Sequence, residues 1–144
     1  MILSRSTEYA IRLIFYLSDR QPLAQYVRIK DAAKDLDVSY YQLAKVANVL
    51  STHKILKSST GSRGGIDLSD HANSLPLSVV LEIFGDDGIF DRCILGLHEC
   101  SNENPCPIHA VWGTTRGELK TTFFDKTLGD LKTDALIPFF KKVE

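Results

Sequence analysis

The succession of elements between Ile29 and Ser69 constrains this chain more than any other feature. Ile29 to about Leu36, with Ala32 and Ala33 in its middle, reads as a short helix. Asp37-Val38 is a tight joint into Ser39, and Ser39 with Gln42 three residues later forms a capping box that opens a second helix. That helix places Leu43, Val46, Ala47 and Leu50 on one face and Tyr41, Lys45, Asn48 and Thr52 on the other. Two short apolar runs follow, Ile55–Ser58 and Ile66–Ser69, separated by a turn containing Gly61, Gly64 and Gly65, which is the pattern of a β-hairpin. Each part is common alone. In this order they specify a helix-turn-helix followed by a wing.

The flanks fit the same frame. Ser4 or Ser6 can cap a first helix running to about Ser18, with Tyr9, Ala10, Leu13, Ile14 and Leu17 as a buried stripe, ended by Asp19-Arg20-Gln21-Pro22. Leu75 to Phe84 predicts another helix, broken at Gly85-Asp86-Asp87-Gly88. Cys106-Pro107 opens a long helical pattern in which Ile108, Trp112, Leu119 and Phe123 share one side, with Val111 and Phe124 beside them. So long an apolar stripe exceeds what a small domain needs for itself, and a second subunit is the economical cover. The expected fold is mainly α: a winged helix-turn-helix over residues 1–70, then a loop and a long C-terminal dimerisation helix within 71–144.

Charge narrows the partner. The net charge is −1, yet residues 1–70 hold ten Lys and Arg against seven Asp and Glu, and residues 71–144 hold seven against eleven. Val38 to Ile66 contains Lys45, Lys54, Lys57 and Arg63 and no acid, so a polyanion is drawn to that stretch. An apolar fraction of 44% is ordinary for a globular protein, and no apolar run reaches the roughly 18–20 residues of a membrane span. No phosphate loop, paired-carboxylate pattern or Ser/His/Asp set points to an enzyme. Without a secretory segment after Met1, a cytoplasmic location is expected, with no membrane partner.

All three cysteines fall in C-I-L-G-L-H-E-C-S-N-E-N-P-C-P-I-H, as Cys93, Cys100 and Cys106, with His109 three residues on. An odd number cannot pair fully within one chain. Three soft sulfurs and an imidazole can hold one metal ion or an iron–sulfur cluster. A structural zinc is a second reading of the same donors, although the usual paired C-x-x-C spacing is absent. A cluster-free thiol switch ranks lower, because Asp86, Asp87, Asp91, Glu99 and Glu103 surround the cysteines and disfavour thiolate.

These motifs resemble, over nearly the full length, the IscR- and NsrR-like iron–sulfur sensors of the bacterial Rrf-two family. The matching stretches are L-S-R-S-T-E-Y-A-I-R, S-Y-Y-Q-L, G-S-R-G-G-I, the cysteine loop, C-P-I-H-A-V-W and T-L-G-D-L. The resemblance implies a homodimeric winged-helix transcription factor with crossed C-terminal helices, its cluster held by Cys93, Cys100 and Cys106. For the fourth ligand it offers His109, at the histidine of the C-x-x-H pattern, and Glu8, where other members place an acid donated across the dimer. His109 is favoured, and with it [2Fe-2S] over [4Fe-4S]. Two departures stand out: the first cysteine gap is six residues rather than five, and Thr60 replaces the arginine common before the first wing glycine. On duplex DNA, Ser39, Tyr40, Tyr41, Gln42 and Lys45 are expected to reach base edges of a pseudo-palindromic site. Arg28, Lys54, Lys57, Ser62 and Arg63 are expected at phosphates or in a groove.

Overall fold

The computed structural model describes residues 2–20 and 25–131. Gln21 and Pro22, expected to end the first helix, and residues 132–144 of the expected second unit lie outside the described residues. Helix α1 spans Arg5–Arg20 and is capped by Ser4, whose hydroxyl accepts from the Thr7 N–H at 3.3 Å. Its buried stripe is Ala10, Leu13, Ile14 and Leu17. Tyr9 is only partly buried, and Thr7 takes the inner place one turn earlier.

Helices α2 (Ile29–Leu36) and α3 (Tyr40–Thr52) form the helix-turn-helix. Both end in the same way. Asp37 (φ 54°) and Lys54 (φ 60°) adopt the left-handed conformation, and the next residue returns its N–H to a carbonyl five back: Val38 to Ala33 at 3.0 Å, Ile55 to Leu50 at 2.9 Å. That second turn buries Ile55 and launches strand β1 (Leu56–Ser59), which pairs antiparallel with β2 (Gly65–Leu68). The wing has a third edge. Val27 and Ile66 exchange backbone hydrogen bonds of 2.9 and 2.8 Å, tying the hairpin to the residues before α2.

After a 3-10 turn at Asp70–Ser74, helix α4 spans Ser78–Phe84, shorter than the predicted Leu75–Phe84. Leu75 to Leu77 are held otherwise: Leu77 N–H donates to the Lys126 carbonyl and Leu128 N–H to that of Leu75, both at 2.8 Å, with Pro76 and Thr127 forming a bridge. A 3-10 turn at Asp87–Phe90 leads into the cysteine loop, and helix α5 spans His109–Asp125. The last described element is a 3-10 turn, Leu128–Leu131. Thr127 and Asp130 close it reciprocally, the Thr127 N–H on Asp130 Oδ2 (2.9 Å) and the Asp130 N–H on Thr127 Oγ1 (3.2 Å). Leu128 is fully buried and joins Leu77 and Val80 in the same core as Leu13, Leu43 and Leu50. Helix α5, in contrast, contains no buried residue.

Candidate metal centre and DNA-reading face

The recognition helix begins as its sequence requires. Ser39 Oγ accepts from the Gln42 N–H at 3.5 Å, and Leu43, Val46, Ala47 and Leu50 face the core. This packing turns Ser39, Tyr40, Tyr41, Gln42, Lys45, Asn48 and Thr52 outward. Tyr41 is 78% exposed, with Tyr40 against its edge at 5.4 Å, so neither ring is consumed by the core. At the wing, Ser62 and Arg63 are exposed, and Arg28 donates to the Ser62 carbonyl at 2.8 Å, bracing the turn from below. Lys57 differs from the other cations, lying 3.9 Å from Asp67 and 3.5 Å from Asp70. Exposed pairs of this kind are weak, but they offset its attraction for a polyanion.

The cysteine loop is laid along α5 in the antiparallel sense. Phe90, nearly fully buried, packs between Phe123 and Phe124 at ring distances of 5.7 and 5.4 Å. Asp91 and Arg92 follow alongside Arg116 and Trp112, and Cys93 then arrives 3.8 Å from Cys106, sulfur to sulfur. Cys106 precedes α5 rather than lying in its first turn as the C-P-I-H pattern predicts. The His109 N–H donates to the Cys106 carbonyl at 3.0 Å, so Pro107 and Ile108 form a lead-in turn.

Sulfur geometry is compact. The three Sγ atoms lie within 4.8 Å of one another and are, among the described residues, the one group of potential metal donors this close. His109 Nδ1 is 3.2 Å from Cys100 Sγ, and its Nε2 is 2.9 Å from Asn102 Oδ1. Asn102 escaped the sequence reading, since nothing in its spacing marks it. Glu8 lies in the first turn of α1, half-buried and outside the sulfur group.

The thiols differ from each other. At Cys93 burial pushes the pKa up, but N–H groups of Leu95 and Leu97 and the neighbouring sulfurs outweigh it, leaving the thiol below its ordinary value. This reverses, for Cys93, the expectation drawn from the surrounding acids: converging backbone donors act at shorter range than exposed carboxylates. At Cys106 burial raises the pKa, and Cys100 and Cys93 raise it further against a single opposing N–H from Ile108. Further up the chain, burial raises Asp86, but hydrogen bonds from the Thr7 side chain and from Ser4 prevail and hold it below the usual carboxylate range. Asp86 Oδ2 accepts from the Ser4 N–H at 2.8 Å, joining the approach to the loop to the start of α1.

A capped recognition helix followed by a braced wing defines a winged-helix DNA-binding protein, here with a cysteine site appended. The model of the Rrf2 family, described as iron-dependent transcriptional regulator, matches residues 3–134, and the chain belongs to this family. It is a family of transcriptional regulators and not of enzymes. A protein of Aquifex aeolicus, named only as an HTH-type transcriptional regulator, is 30% identical over 133 residues, 91% of each chain. The regulator NsrR of Halalkalibacterium halodurans is 29% identical over 77% of this chain and 72% of its own. Among solved structures, CymR, the global cysteine regulator of B. subtilis, superposes with a TM-score of 0.73 at 18% identity, over 90% of this chain and 94% of its own. IscR of T. potens gives 0.62 at 19%, over 90% and 84%. These likenesses establish the fold. No described helix is long and apolar enough to cross a membrane.

Proposed function

We propose that this protein binds duplex DNA as a homodimer and regulates transcription according to the state of an iron–sulfur cluster. Residues 1–70 read DNA, and 71–144 carry the sensor and the dimerisation helix. The observation that carries the reading is the donor set: three thiols within 4.8 Å of one another, with an imidazole nitrogen 3.2 Å from one of them. Soft sulfur donors with one imidazole fit iron, and a bound cluster would supply a redox-active centre sensitive to iron supply, oxygen or nitric oxide. Cys93, Cys100, Cys106 and His109 would hold it. The C-x-x-H spacing of Cys106 and His109, the IscR-like pattern, is the ground for favouring [2Fe-2S] over [4Fe-4S]. Asn102, facing Nε2, would fix the ring with Nδ1 toward the site. The partner subunit's Glu8 is the competing fourth ligand.

Two copies of α3, about one DNA turn apart, fit a pseudo-palindromic operator, with Lys45, Arg63 and Arg28 supplying most of the salt-dependent attraction. A structural zinc is the second reading, favoured by the 3.8 Å between Cys93 and Cys106, which suits two thiolates on one tetrahedral ion. Anaerobic purification separates the two. The cluster reading expects brown protein with iron and sulfide near parity, colourless Cys93→Ser protein, and operator affinity that changes when the cluster is removed. A colourless wild type reconstituted only by zinc overturns it. An altered spectrum in His109→Ala but not in Glu8→Ala identifies the fourth ligand, and the opposite result transfers that role to Glu8.

A further inference from the structure

The loop that carries the cysteines has almost no apolar anchorage of its own, since Ile94, Leu95 and Leu97 are all exposed. Something else must keep its sulfurs together. Trp112 Nε1 donates to the Arg92 carbonyl at 2.8 Å, and Arg116 Nη1 donates to the carbonyls of Asp91 (3.0 Å) and Arg92 (3.3 Å). Lys120 Nζ reaches the Asp91 carboxylate at 3.5 Å. Trp112, Arg116 and Lys120 are spaced by four and so form one stripe along α5, and His109 begins the same stripe a turn earlier. The Arg92 carbonyl belongs to the peptide plane whose nitrogen is that of Cys93. One face of one helix thus fixes the peptide entering the first cysteine and also presents the imidazole beside Cys100.

We propose that Arg116 and Trp112 are positioning residues for the cysteine site: by holding the Arg92–Cys93 peptide against α5 they pre-assemble the three sulfurs, without touching the metal. The inference rests on reading the cysteines as a metal site. Residues that orient ligands from outside the coordination shell typically cost 10–100-fold in metal affinity when lost. Because both side chains bond the same carbonyl, their effects should overlap rather than add.

The test is titration of the full-length, cluster-free protein with Co²⁺, whose thiolate charge-transfer bands count the sulfurs bound. Arg116→Met keeps the stem and removes the donors, and Trp112→Phe keeps a ring and removes the N–H. Each should weaken Co²⁺ binding about tenfold with unchanged band intensity per bound ion. The double variant should be little worse than either single one, and Arg116→Lys should recover part of the loss. A milder Lys120→Met variant gives a smaller change in the same direction, which keeps the question open to test if Arg116→Met does not fold. Wild-type affinity in folded Arg116→Met and Trp112→Phe overturns the positioning role while leaving the metal site intact. A wild type that takes up no Co²⁺ through thiolates overturns the metal-site reading itself, and this inference with it.

Discussion

Two glycines of the wing show how a single atom's surroundings decide what a position tolerates. At Gly65 (φ +150°) an added Cβ would lie 2.3 Å from the Val27 carbonyl oxygen, on the very residue that bridges to Ile66. At Gly61 (φ +98°) it would meet nothing within 4 Å. Gly61→Ala is therefore expected to cost only the backbone strain of a left-handed residue, about 1 kcal/mol. Gly65→Ala adds loss of the bridge and should cost about 3 kcal/mol, with weaker operator binding as the wing moves. Urea unfolding and fluorescence anisotropy on the operator check both, and equal costs at the two sites would remove the bridge from the explanation. Neither distinction is readable in G-S-R-G-G-I. The sequence marks a turn, but which glycine touches Val27 depends on a contact made across 38 positions.

At the scale of elements, the parts that were legible are those specified within a few residues of themselves. The α3 cap, its two faces and the existence of the hairpin all follow from local spacings, while the hairpin's register, Leu56 opposite Leu68, is set by the structure. The cysteine group was legible for a different reason, because its residue type is absent from the rest of the chain. What escaped is held by isolated long-range contacts: Val27 with Ile66, Pro76 beside Thr127, Trp112 and Arg116 on the carbonyls before Cys93. One such contact leaves no period to detect. Asp86 is another case, a residue after α4 that serves as an acceptor for the start of α1. Asp86→Ala should destabilise the protein by about 1–2 kcal/mol near neutral pH, through loss of charge-assisted bonds at that helix end. The folded carboxyl titrates below the ordinary carboxylate range, so this contribution is fully present above that range and is lost as pH falls through the folded value. Urea curves of wild type and variant should converge on acidification. A gap that persists undiminished in strong acid would place the effect in packing instead of charge.

For the whole molecule, the unusual fact is a 17-residue helix with no buried residue, carrying Val111 at 73% exposure, with Ile108 also open just before its first turn. In the proposed homodimer Val111 and Ile108 supply part of the interface. Val111→Asp should convert the dimer to monomer in sedimentation and weaken operator binding, since two linked half-sites become two single ones. Helical content by circular dichroism should be nearly unchanged, because the core of Leu13, Leu43 and Leu128 does not involve Val111. A variant that stays dimeric places the contact elsewhere. The two ends of α5 are also unequally moored. Its far end runs into Lys126 and Leu128, stapled to Leu75 and Leu77 and sunk into the core, while its near end meets the cysteines. In the proposed function such a helix would serve as a lever, pivoting where Leu128 enters the core shared with α1 and α3. Over 17 residues its arm is about 25 Å long. A tilt of about 5° at the pivot would sweep the cysteine end through about 2 Å, and a displacement imposed at the sulfurs of the proposed sensor would return to α1 and α3 as rotation.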